Sequence, residues 1–215
     1  MNNFLDFIKQ VFKNRTIYRI LFNRQVRENC KDLRGEILDL AGGGNASYYD
    51  YLPAGLKIIK TNYKESGDID KIIDFNKPLP FADNSINNIL FFNALYIVDD
   101  RIKLFQEMKR ILKPGGKIFI SSPFIANEMP EPHDYCRLTA EGLEKEFKEA
   151  GFIDFEIRRF GERFTSGAYL LHAFYFFNPI RFFVYGAILL LDKIIPKNIR
   201  RNHPAPLGYF CIIKK

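Results

Sequence analysis

The sequence predicts a doubly wound α/β fold, and three observations carry that expectation. A short apolar strand, Glu36-Ile37-Leu38-Asp39-Leu40, runs directly into the glycine-rich turn Ala41-Gly42-Gly43-Gly44-Asn45. Short apolar strands then alternate with helical stretches as far as Gly151. Those strands are too uniformly apolar for a sheet with one wet face, as expected when helices cover both sides of a parallel sheet.

The elements follow in order. Segment 4–22 places Phe4, Ile8, Val11, Phe12, Ile17, Ile20 and Leu21 near helical spacing, with Lys9, Lys13, Arg15 and Arg19 between them. Residues 1–34 therefore read as a basic amphipathic helix or helix pair that packs on the core or lies on a membrane surface. Strands are expected at 36–40, 57–61, 70–74, 86–92 and 117–122, and helices at 46–51, 100–112 and 139–150. The turn glycines tolerate positive φ and close approach of a ligand, and a helix from about Ser47 would aim its first amides at that ligand. Lys113-Pro114-Gly115-Gly116 stops one helix and launches the next strand. Thr139 opens the helix that ends at Gly151. Strands 152–158 and 208–213 bring the total to seven, with the α/β domain drawn as 35–160 and 208–215.

Residues 161–207 stand apart, because 47 residues separate the last two strands where neighbouring antiparallel strands need only a few. From Phe164 to Leu191 the only Lys, Arg, Asp or Glu is Arg181. This hydrophobic helical insertion divides at Asn178-Pro179, since proline disfavours helix through the residue before it. It reads as a substrate lid, a dimer contact, a membrane-lying element or an ordinary packed subdomain. A full span is disfavoured by Arg181 near its middle and by the proline break.

Composition narrows the class. At 215 residues with 47% apolar and 15% aromatic content, the chain has the makings of one core and not those of a disordered segment. Cys30, Cys136 and Cys211 show neither disulfide framework nor metal spacing, so a reducing cytoplasm is the expected compartment. Asp6 and Lys9 interrupt the only N-terminal apolar run, which argues against a cleavable signal. His133, His172 and His203 have no ligand partners at metal spacing. The net charge of +7 divides into +5 over residues 1–34, −6 over 35–157 and +8 over 158–215. Basic ends around an acidic centre suit termini that meet an anionic surface, or plain solvated charge.

With the segments in this order, residues 36–157 resemble the class I S-adenosylmethionine-dependent methyltransferases, in particular the type 11 small-molecule group. Three blocks carry the resemblance: Ile37 to Gly43, Ile73 to Ile86, and Glu107 to Lys117. It implies a Rossmann-like sheet and S-adenosylmethionine as cofactor, with S-adenosylhomocysteine as product. By the same resemblance, Ala41, Gly42 and Gly43 hold the cofactor's amino-acid moiety through their backbone and Asp39 fixes its ammonium group. Asp74 and Phe75 meet the adenine, and Asn93 stands at the pocket edge. The chain departs from the family pattern at four places, one of them Asn45, where a third glycine often stands. Ala41 stands where glycine is usual, Leu95-Tyr96 replaces an acidic-histidine pair, and Asn62 replaces the acid that holds the ribose. An amide there forgoes charge-assisted bidentate bonding, a loss of roughly 1–2 kcal/mol.

The block His133-Asp134-Tyr135-Cys136-Arg137-Leu138-Thr139 resembles a subset associated with surface-polysaccharide and glycan pathways. It names His133 as a candidate general base, because a histidine ordinarily titrates near neutrality. Arg137 is a candidate for an anionic substrate group, and Tyr135 for the pocket lining. Alternatively Asp134 and Arg137 pin the loop and Thr139 caps a helix. The expected activity is methyl transfer to oxygen or nitrogen of a small, glycan-linked or lipid-linked acceptor, cytoplasmic and with peripheral contact to an anionic membrane. A non-catalytic binding protein on the same fold is the alternative, and nucleic-acid methylation ranks well below both.

Overall fold

The computed structural model describes residues 3–130 and 132–215. Seven strands form one sheet in the order β3-β2-β1-β4-β5-β7-β6. They are β1 (Glu36–Asp39), β2 (Lys57–Asn62), β3 (Lys71–Ile72), β4 (Ile86–Phe92), β5 (Leu112–Pro123), β6 (Asp154–Phe160) and β7 (Gly208–Lys214). All pairings are parallel except those of β7, which runs antiparallel to both β5 and β6. The strand order reverses between β1 and β4, where such sheets bind ligands at the carboxyl ends.

Strand alternation sends side chains to two cores. Leu38, Ile89, Phe91, Ile118 and Ile120 pack beneath helices α3 (Arg101–Ile111) and α4 (Ala140–Glu149) through Phe105, Met108 and Phe147. Ile37, Leu90, Phe92, Phe119 and Phe210 face the other way. There they meet Phe22 and Val26 of α2 (Ile17–Asn29), beside α1 (Asn3–Phe12). The same core takes Ala168 of α5 (Arg163–Leu170) and Tyr185 of α6 (Asn178–Ile194), the helix that precedes α7 (Lys197–Asn202). Both faces are dry, which is why the strands read as continuous apolar runs.

Local chemistry sets the ends. Asp100 caps α3 by accepting from the Lys103 amide at 3.1 Å, and Thr139 caps α4 by accepting from Gly142 at 3.1 Å. Pro179 sits in the first turn of α6, where its missing N–H costs nothing. Among the described residues no helix is long and apolar enough to cross a membrane.

Three expectations on elements change. Strand β5 begins at Leu112 rather than 117, because Lys113-Pro114-Gly115-Gly116 is threaded along the sheet as a bulge. Gly115 donates to Lys215 O and Lys215 to Gly116 O, each at 3.2 Å, with Gly115 at φ 76°. Strand β3 shrinks to two exposed edge residues, because Asp74 takes the Asn76 amide at 3.0 Å and turns the chain away. The helix expected at 46–51 is absent, and only a single 3₁₀ turn at Tyr49–Tyr51 forms. Here the hydroxyls of Tyr48 and Tyr49 converge on one oxygen of Asp39, at 2.6 and 2.7 Å. No run of helical amides therefore faces the glycine turn.

Candidate active site

The turn Ala41–Asn45 leaves β1 at the point where the strand order reverses. Its left-handed residues are Gly43 at φ 62° and Gly44 at φ 77°. Ala41 and Asn45 are outside that region, so neither departure from the all-glycine pattern strains the backbone. A β-carbon on Gly42 would stand 2.1 Å from Asp39 Oδ2 and 2.6 Å from the Tyr49 hydroxyl, and one on Gly44 2.5 Å from the Asp68 amide. The turn is thus bare by necessity, and the backbone of Ala41 to Gly43 stays half-exposed.

Asp39 lies beneath this turn and is fully buried. Oδ2 accepts both tyrosine hydroxyls, whereas Oδ1 is enclosed with no partner. The expectation of a carboxylate open to a ligand's ammonium is corrected to this extent: Asp39 does not reach solvent, and only Oδ1 retains an unused acceptor. Thr61 fastens the strand end from the side, its hydroxyl donating to Asp39 O at 3.1 Å and Leu40 O at 3.0 Å.

The other residues named from the sequence fall around the turn. Asn62, nearly buried at the end of β2, accepts the Tyr63 amide on Oδ1 at 3.0 Å. Its Nδ2 lies 3.6 Å from where a Gly43 β-carbon would be. Phe75 is buried between the rings of Tyr63 and Phe91. Asp74 beside it is exposed, holding Lys77 at 3.2 Å, and the Asn76 and Lys77 bonds depress its carboxyl below the usual range. Asn93 follows β4 at φ 56° and accepts from Tyr18 at 2.5 Å and from Ser121 at 3.1 Å.

The loop after β5 divides. Arg137 is spent within it, bonding Asp134, the Cys136 carbonyl and the Asn127 carbonyl and lying over the Tyr96 ring at 5.1 Å. Its bond holds the Asp134 carboxyl below the ordinary range. The geometry favours the second reading of Arg137, in which it pairs with Asp134 and pins the loop. His133 and Tyr135 are exposed and stacked on each other at 5.1 Å, and the Tyr135 amide donates to Tyr96 O at 2.9 Å.

Beside Asn93 opens a cavity of about 360 Å³ whose walls include Arg15, Tyr18, Arg19, Asn93, Tyr96 and Tyr169. His133 is not one of its walls. Sequence reasoning missed Tyr18, Tyr48, Tyr49 and Tyr169, because a tyrosine in an apolar run reads as core. The signal that could have found two of them is Tyr48-Tyr49-Asp50-Tyr51, three phenols directly after a glycine turn that follows an acid.

The residues present fit S-adenosylmethionine. A half-exposed backbone turn, an enclosed acid with one unpartnered oxygen and an amide donor beside Gly43 match a ligand with an ammonium group and hydroxyls. Burial pushes the Asp39 carboxyl up to about 6, against the tyrosine hydroxyls and the Ala41 amide, which pull it down. A carboxyl with a raised folded-state pKa stabilises fully below its unfolded value of about 4 and loses that stabilisation as pH climbs through about 6. Asp39→Asn keeps an acceptor and removes the charge. The stability gap between D39N and wild type is expected to move toward D39N by roughly 2–3 kcal/mol from pH 4 to 7. Urea denaturation at both pH values reads it, and a pH-independent gap contradicts the buried carboxylate.

Residues 34–120 match the family model described as "Methyltransferase domain". A demethylmenaquinone methyltransferase of Renibacterium salmoninarum is 34% identical over 94 residues, 40% of either chain. The chain thus spans about 40% of the length of the curated relatives it matches. In structure it is similar to a SAM-dependent methyltransferase from Archaeoglobus fulgidus, with a TM-score of 0.59 at 16% identity over 92% of this chain and 94% of that one. A phosphoethanolamine N-methyltransferase 2 of Haemonchus contortus, in complex with S-adenosyl-L-methionine, gives 0.58 at 17% identity over 90% and 52%. Residues 34–120 thus match a methyltransferase-domain model, and the chain shares the fold of solved S-adenosylmethionine-dependent methyltransferases.

Proposed function

We propose that this protein transfers a methyl group from S-adenosylmethionine to an oxygen or nitrogen of a small, glycan-linked or lipid-linked acceptor. One observation supports this most: the bare turn leaves β1 where the strand order reverses, and Asn93, just past the neighbouring β4, lines a cavity. When bound, S-adenosylmethionine supplies a methyl group already activated on a sulfonium, so the protein's work is mainly positioning. In this reading the Ala41–Gly43 backbone and Asp39 hold the amino-acid end, and Asn62 offers a donor to the ribose. Asp74 and Phe75 border the base, and Tyr135 and His133 stand at the rim. His133 takes the acceptor's proton as the methyl group arrives.

The relatives named for quinone methylation do not carry their acceptor over. The match covers two-fifths of each chain, and the walls Arg15, Arg19 and Tyr169 lie outside the matched domain.

Calorimetry with S-adenosylhomocysteine tests the reading. One saturable site is expected, and Asn62→Asp, which restores a carboxylate beside Gly43, is expected to tighten it about tenfold. A silent titration at millimolar ligand would instead favour a binding protein without catalysis. Transfer of labelled methyl groups into a glycolipid extract tests His133: H133Q is expected to cut the rate about 10²-fold or more at pH 7. Wild-type turnover by H133Q removes it from the reaction.

We also propose peripheral contact with an anionic membrane. The outer face of α6 carries Ile180, Phe183, Leu190 and Ile194, 44–73% exposed and at helical spacing. Phe174, Phe176 and Phe177 just before it are 56–82% exposed. Lys193, Lys197, Arg200 and Arg201 flank that stripe, and no ion pair to a carboxylate occupies them among the described residues. A helix with apolar residues outward and cations beside them suits the boundary between acyl chains and anionic headgroups. Flotation with phosphatidylglycerol vesicles is expected to carry the protein up at low salt, and Phe183→Ser/Ile194→Ser to leave it at the bottom. Wild-type protein that stays at the bottom at every salt concentration removes the contact.

A further inference from the structure

We infer that the cavity at the α1–α2 corner takes a phosphorylated acceptor, held by Arg15 and Arg19; the inference rests on the methyltransferase reading above. The corner is built for display. Asn14 turns the chain between the two helices at φ 58°, and its Oδ1 accepts from Arg181 of α6 at 3.2 Å. Arg15 follows at the cavity wall. Thr16 then caps α2 by accepting from the Arg19 amide at 3.2 Å, and the Arg19 guanidinium lies over the Phe22 ring at 5.4 Å. Both arginines are half-exposed, and among the described residues neither is in an ion pair.

Among the described residues no acidic side chain lines the cavity, whereas Arg15 and Arg19 both do. Two fixed positive charges are matched by a dianion better than by a single carboxylate, and guanidinium forks fit phosphoryl oxygens. The other walls include the phenols Tyr18, Tyr96 and Tyr169, with apolar faces and polar tips that suit a hydroxylated ring. A volume near 360 Å³ suits a small molecule or the head of a larger one. Arg137, the cation that the sequence singles out, is already satisfied by Asp134.

The test uses the full chain with S-adenosylhomocysteine present and inorganic pyrophosphate as the probe, read by calorimetry. Wild type is expected to bind one pyrophosphate. The double variant Arg15→Gln/Arg19→Gln is expected to lose about tenfold or more in that affinity, with S-adenosylhomocysteine binding unchanged. Lys145→Gln, on the outer face of α4, is expected to match wild type. Equal pyrophosphate affinity in wild type and R15Q/R19Q, or none in wild type, overturns the assignment while cofactor binding persists. Loss of cofactor binding in wild type sinks the underlying function instead. Phosphatidic acid vesicles that displace pyrophosphate, when phosphatidylcholine vesicles do not, place the phosphate on a lipid. No displacement by either places it on a soluble acceptor.

Discussion

Asp39 carries a carboxylate into the interior at the carboxyl end of β1, and two phenol hydroxyls close over one of its oxygens. Burial alone would force such a group to neutralise, and the tyrosines offset part of that cost. In exchange the chain gains a fixed point. The carboxylate lies against Gly42, where a methyl group would collide with it, so the turn can only be glycine at that position. The residues after the turn form a single 3₁₀ turn that brings both hydroxyls to the same atom. The glycine at 42 and the positions of Tyr48 and Tyr49 are all tied to one buried carboxyl.

That charge is braced from the far side by the N-terminal helices. Asp6 of α1, almost fully buried, accepts from Tyr51 at 2.8 Å, from Gln10 at 2.9 Å and from Arg27 at 3.2 Å. Gln10 in turn accepts from Asn23 at 2.8 Å. Every member of this network has a partner, which is the condition under which buried polar groups add rigidity rather than cost. The helices whose positive charges suggest an anionic partner therefore also hold the segment that closes over Asp39.

The sheet was legible in the sequence because its signals are local and redundant. Apolar runs of strand length and the capping residues Asp100 and Thr139 each act within a few residues. The turn glycines were legible for the same reason, although which two needed positive φ was not. What stayed hidden depends on contacts between distant segments. Tyr18 meets Asn93 across 75 positions, and Arg15 faces a wall built partly from Tyr169. For Arg137 the sequence offered both an anion holder and a pair with Asp134, three positions earlier, and the fold shows the pair.

The basic ends and the greasy insertion, separate features in the sequence, join in space at one corner. Arg181 of α6 donates to Asn14 at the α1–α2 bend, while Phe182 packs on Phe4 and Phe7 at 6.5 and 5.8 Å between ring centroids. Tyr169 of α5 meets Tyr18 at 5.5 Å in the cavity wall. The cavity is therefore bounded by the N-terminal helices, the strand ends and the insertion together, and none of the three makes it alone. A displacement of α6 on an anionic surface would move the Arg181–Asn14 bond, and with it the bend that presents Arg15. In the two proposals made above, surface contact and acceptor binding share that hydrogen bond. The same link gives the 47-residue excursion between the last two strands a reason to pack against the N-terminus rather than over the strand ends alone.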